Sequence, residues 1–123
     1  VSFNSELTES EVVDIYSSAD IAVIPSLYEG FGFGAGEAMA CGVPLISTTS
    51  GGLKDVIGDA AIKIESESSD SISKAAIDLF SDDQKKVHYS KIGRERIEKE
   101  FSWNLAARKY LKVFKKAIDG FKK

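Results

Sequence analysis

"IAVIPSLYEGFGFGAGEAMACGVPLIST", residues 21–48, decides the fold. Its first five residues are a continuous β-branched apolar run closed by Pro25, the pattern of a strand buried on both faces. Four glycines follow at every second position, Gly30, Gly32, Gly34 and Gly36. An Ala-rich segment, "GEAMACG", then reads as a helix stopped by Gly42, and "VPLIST" is a second buried strand. Glu29 and Glu37 bracket the glycines.

The pattern continues outward in both directions. Upstream, "LTESEVVDIYSSAD" is a helix: Thr8 with Glu11 three residues later makes a capping box, and Val12, Ile15, Tyr16 and Ala19 recur at helical spacing. "VSF" reads as the end of a strand. Downstream, "TSGG" is a loop, "LKDVI" a short helix opened by Gly51 and Gly52, "AAIKIE" a third strand and "SESSD" a polar loop. From about Asp70 three helices follow: "SISKAAIDLFS", "DQKKVHYSKIGRERIEKEF" and "WNLAARKYLKVFKKAIDGF". Strand–helix–strand–helix–strand predicts an α/β fold with a Rossmann-like parallel sheet, flanking helices and a helical carboxy-terminus. In such sheets ligands sit beyond the carboxyl ends of the strands. The glycine loop and "TTSGG" leave two such ends, on one rim.

Glycines let backbone approach a ligand closely, and a helix N-terminus favours phosphate. N–H groups around Phe33 to Gly36 are expected to point at the rim. A dinucleotide site fits less well. "GFGFGA" matches G-x-G-x-x-A, but "SLYE" separates the strand from the first glycine, and the next strand ends in "STTS" with no acid for a ribose. Paired carboxylates also suit a glycosidase, although spacing alone does not place Glu29 across a sugar from Glu37. An ordinary loop acid and a solvated helix glutamate are the plain alternatives.

Bulk properties narrow the classes. The chain has 123 residues, enough for one domain. Its 43% apolar and 28% charged residues are ordinary for a globular protein. Residues 1–53 contain no Lys or Arg and seven acids, whereas all 16 bases lie in residues 54–123. An aromatic loop with only acids beside it argues against nucleic acid as a partner. Cys41 is the lone cysteine, so no internal disulfide forms, which agrees with a reducing compartment. His88 is the lone histidine, expected at the surface, and neither it nor Cys41 suggests a metal cluster or a nucleophile. Trp103, Tyr110, Phe114 and Phe121 share one face of the last helix, with core packing as the leading expectation. Its lysines also suit an anionic membrane surface.

"PSLYEGFGFGAGEAMACGVPLIST" resembles the donor-site signature of retaining glycosyltransferases of the GT-B fold, in the large family 4. The match is Glu-x7-Glu at Glu29 and Glu37, with "GFG" after the first and "EAMACG" at the second. "IYSSADIAVIPS", "GGLKDVIGDAA" and "FSW" fit as well, so the resemblance runs from about Glu6 to Phe114. Gly34 and Lys54 depart from it, since Pro is common at both. The resemblance implies that Gly30, Phe31 and Gly32 hold sugar hydroxyls through their N–H groups, and that Phe33 and Gly34 face the diphosphate. It gives Glu37 the nucleotide ribose and Glu29 the positive charge developing at the anomeric carbon. It implies a nucleotide-diphosphate sugar as donor, no metal and no further cofactor. It further implies upstream strands, a basic pair and an amino-terminal acceptor domain that this chain does not include, with the last helix reaching back to that domain. Residues 1–66 are then an α/β core with the donor loop and 67–123 carboxy-terminal helices. The chain is expected to be inactive alone and cytoplasmic, with the inner membrane surface as a further expected contact. A non-catalytic sugar-nucleotide-binding or regulatory module is the alternative.

Overall fold

The computed structural model describes residues 1–121. Helix α1 (Glu9–Ser18) begins at the capping box: the Glu11 N–H donates to the Thr8 hydroxyl, and the Thr8 N–H donates to the Glu11 carboxylate at 2.8 Å. The Thr8 hydroxyl also donates to that carboxylate, and these bonds hold Glu11 below the usual carboxylate range. Strand β1 (Ala22–Ile24) follows, then α2 (Phe33–Ala40), β2 (Leu45–Ser47), α3 (Leu53–Ile57) and β3 (Ile62–Lys63). The three strands form one parallel sheet in the order β1-β2-β3, with Ala22 opposite Leu45 and Ile46 opposite Ile62.

Three helices complete the chain. Helix α4 (Ser69–Phe80) is capped by the Ser68 side chain and α5 (Asp83–Glu100) by Asp82, each accepting from the N–H three residues on. Helix α6 (Trp103–Phe121) ends the described segment.

Side chains on β2 alternate between two cores, as pleating requires. Leu45 packs with Ala35, Ala38, Met39, Val56 and Ile57 from α2 and α3, backed by Ile92 and Ile97 of α5. Ile46 packs on the other face with Ala75 and Leu79 of α4. Helices therefore cover both faces of the sheet.

Three expectations are corrected. Val1–Phe3 lies outside any strand, because it pairs with none of the described strands. Strand β1 is only partly buried, and among the described strands it is paired on one side, by β2. The aromatic face of α6 does not enter the core. Trp103 is 87% exposed and Phe121 92%, and Tyr110 and Phe114 are also exposed. Helical periodicity identifies an apolar face but not what covers it, and no residue of α6 is buried among those described. No helix among the described residues is long and apolar enough to cross a membrane.

Candidate functional site

Parallel pairing of β1 with β2 brings their carboxyl ends, Ile24 and Ser47, side by side. The loops that leave them are stitched together. The Ser26 carbonyl accepts from the Thr48 hydroxyl at 2.7 Å and from the Ser50 hydroxyl at 3.0 Å. The Thr48 N–H donates to the Ile24 carbonyl at 3.2 Å, and the Gly52 N–H donates to the Glu29 carbonyl at 2.8 Å. "STTS" lacks an acid, but its hydroxyls hold the glycine loop against the sheet. That clustering of Ser and Thr at a strand's carboxyl end was the available signal, and sequence reasoning passed over it.

Contact between the loops is backbone on backbone. A Cβ at position 52 would lie 2.3 Å from the Gly30 carbonyl oxygen and 2.8 Å from the Phe31 Cα. Only a residue without a side chain fits there. Gly32 has φ +99°, a left-handed conformation that turns the loop into α2, and the Leu53 side chain closes over it. Gly30 has open space around it.

From Gly32 the chain enters α2 directly, so the helix starts at Phe33 beside the rim. The Gly36 N–H donates to the Gly32 carbonyl at 3.0 Å and closes the first turn. This corrects the expectation of free N–H groups as far as Gly36: the unshared ones at a helix start are the first four, here the N-cap Gly32, Phe33, Gly34 and Ala35. The Gly34 carbonyl accepts from the Tyr16 hydroxyl at 3.2 Å, which ties α1 to this turn. Burial, then the charge of Glu37 and that of Cys41, push the Tyr16 hydroxyl above its usual range.

The two carboxylates occupy different settings. Glu29 is half-buried in the loop, with its backbone carbonyl committed to Gly52. Glu37 is exposed on α2, one turn beyond Phe33. Neither belongs to an ion pair among the described residues, and no group of His, Cys, Asp and Glu there converges as metal ligands would. Glu37 lines a groove of about 700 Å³ that runs between α2, the end of α5 and α6, together with Phe31, Phe33, Phe101, Trp103 and Tyr110. Phe31 packs against Phe33 at 4.9 Å between ring centroids and meets Phe101 edge-on at 6.0 Å. Tyr16, Thr48, Ser50 and Phe101 thus join the site through tertiary contact alone. His88 is exposed, and Cys41 caps α2 half-buried.

The family model described as "Glycosyl transferases group 1" matches residues 1–96. The chain belongs to the group 1 glycosyl transferases. It is 33% identical to the MMP alpha-(1->4)-mannosyltransferase of Mycolicibacterium hassiacum, over 94% of this chain and 29% of that protein. It is 32% identical to a D-inositol 3-phosphate glycosyltransferase of Corynebacterium aurimucosum, over 97% of this chain and 28% of the relative. The chain therefore spans less than a third of these curated relatives.

Solved structures place the family fold. Sucrose-phosphate synthase from Thermosynechococcus elongatus superposes with a TM-score of 0.88 at 27% identity, covering 97% of this chain and 30% of that one. The C-terminal domain of a group 1 family glycosyl transferase from Francisella tularensis gives 0.73 at 28% identity, covering 84% of this chain and 53% of that one. The sheet, with helices on both faces and a helical carboxy-terminus, is the Rossmann-like carboxy-terminal half of a GT-B fold.

Proposed function

We propose that this chain is the donor-binding part of a retaining glycosyltransferase that moves a hexosyl group from a nucleotide-diphosphate sugar to an acceptor hydroxyl. One observation carries the reading. The start of α2, with the N–H groups of Phe33 and Gly34, lies at the carboxyl edge of a parallel sheet, directly after a loop bearing Glu29. A helix start of this kind presents about half a positive charge to a diphosphate. Membership of the family supports the chemistry, and the mannosyl transfer named for one relative supports the hexosyl class.

Each residue then has a part. The N–H groups of Gly30, Phe31 and Gly32 bind the sugar hydroxyls, and those of Phe33 and Gly34 face the diphosphate. Glu37 accepts hydrogen bonds from the ribose hydroxyls. As the bond from the anomeric carbon to oxygen breaks, its electron pair leaves with the diphosphate. Glu29 stabilises the positive charge left behind. The acceptor oxygen bonds to the same face and passes its proton to the departing diphosphate. Helix dipole and basic side chains, rather than a metal, take on the leaving-group charge. The resemblance assigns those bases to a segment outside this chain, and residues 1–53, which form the rim, contain none.

Titration of the full-length polypeptide with uridine, guanosine and adenosine diphosphate sugars tests the reading. One donor should bind, and Glu37→Ala should weaken it at least about tenfold, since hydrogen bonds to a charged group contribute about 1.5–3 kcal/mol. Unchanged affinity in that variant would return Glu37 to a solvated surface glutamate. Binding without any transfer by the full-length protein would leave a sugar-nucleotide-binding module instead of an enzyme. The 123-residue chain by itself should release no nucleotide coupled to acceptor glycosylation, because the acceptor site and the basic pair lie elsewhere. Turnover by that chain alone would overturn its assignment as one part of the enzyme.

A further inference from the structure

Two elements grip the 29–33 loop from different sides. Helix α3 presses on its backbone at its amino end: the Gly52 N–H donates to the Glu29 carbonyl, and the Leu53 side chain lies over Gly32. The end of α5 grips its side chains, because the Phe101 ring meets the Phe31 ring edge-on and Phe31 in turn packs on Phe33. A loop held this way stays in one shape only if the two gripping elements are fixed to each other.

Arg96 joins them. Its Nε donates to the Val56 carbonyl at 2.7 Å and its Nη2 to the Asp55 carbonyl at 2.7 Å, both in α3. Its Nη1 donates to the Glu100 carboxylate of its own helix at 2.9 Å. The guanidinium carbon stands 5.7 Å from the centroid of the Phe101 ring, within cation–π range. Gly58 makes room for it, since a Cβ there would lie 2.6 Å from the Arg96 Cζ. Helix α3 has five residues, too few to stand by itself, so its position depends on such outside contacts. Phe101 is fixed further by its N–H, which donates to the Ile97 carbonyl at 3.0 Å.

We propose that Arg96 and Phe101 are positioning residues: by locking α3 to the end of α5 they hold Glu29 to Phe33 in the shape that accepts the donor. The donor's chemistry rests on the function proposed above, whereas the hold on the loop does not. Lysine at position 96 keeps the charge but cannot reach three acceptors with a planar fork. Leucine at position 101 keeps apolar volume, touches no hydrogen bond and removes the ring edge.

Hydrogen exchange on the full-length polypeptide reads the loop directly. In Arg96→Lys and Phe101→Leu, the amides of Gly52 and Gly36, which donate to the Glu29 and Gly32 carbonyls of the loop, should exchange about five- to tenfold faster, matching the loss of one aromatic or charge-assisted contact, while those of α4 stay unchanged. Phe101→Tyr, which keeps the ring, should restore the wild-type rate. With the donor identified by titration, kcat well below the melting temperature should fall in the first two variants and return in the third. A uniform rise in exchange across sheet and helices, or kinetic constants unchanged below a lowered melting temperature, would reduce both residues to ordinary stabilisers and overturn the proposal. Failure of wild type to bind any nucleotide sugar would refute the donor chemistry, yet the exchange pattern would still decide the role of Arg96 and Phe101. If Arg96→Lys does not fold, Phe101→Leu with its tyrosine rescue decides the matter.

Discussion

Glu29→Gln in the full-length polypeptide is expected to lower kcat for sugar transfer by about 10²–10³ with little change in donor KM, the range typical of a preorganised electrostatic group. The proposed partner of Glu29 is charge that exists only as the diphosphate departs, so its loss should register in the transition state and not in donor binding. Glutamine keeps the shape and most of the hydrogen bonding and deletes the negative charge. The Glu29 backbone, which accepts from Gly52 at 2.8 Å, is unaffected by the change. Steady-state transfer by wild type and variant, with melts showing equal folding, is the measurement. Near-normal kcat with a much raised KM would mean that Glu29 only holds the sugar before reaction.

Gly52→Ala should damage both fold and function. Its φ of −73° and ψ of −14° suit alanine, so the cost is contact alone. The new Cβ would meet the Gly30 carbonyl oxygen at 2.3 Å and the Phe31 Cα at 2.8 Å. Those are backbone atoms, and no side-chain rotation relieves them. Overpacking of this kind costs about 1–3 kcal/mol, and separating the loops also endangers the bond from Gly52 to Glu29. Donor binding should therefore fall along with stability. Gly30→Ala is the matched control for stability, because nothing lies within 4 Å of a Cβ there; it should change the urea midpoint by less than about 0.5 kcal/mol equivalent. Equal urea midpoints for Gly52→Ala and wild type would show that the two loops do not touch.

Much of the architecture was legible because it is set by local chemistry. The capping box of Thr8 and Glu11 marked the start of α1, and it forms as read. Apolar runs bounded by Gly and Pro marked β1 and β2, and their pairing is parallel. The signature around Glu29 and Glu37 pointed to the family that the comparisons establish. The same local signals failed wherever the question was what an element meets. β1 has an apolar run suited to full burial, yet it is only partly covered among the described residues. The apolar face of α6 looked like core, yet its aromatics are exposed beside the groove.

The sequence by itself determined the order of strands and helices, the parallel α/β class and the acid-flanked loop at a strand's carboxyl end. These follow from side-chain periodicity, capping and glycine placement, all of which act within a few residues. Only the tertiary structure decided that Tyr16 holds the first turn of α2 from 18 residues away, and that Arg96 reaches α3 across 40 and 41 residues. It also decided that Gly52 must lack a side chain because Gly30 and Phe31 come to lie against it. The physical reason is that periodicity records which face of an element is apolar, whereas the partner of that face is chosen only when the whole chain competes for burial.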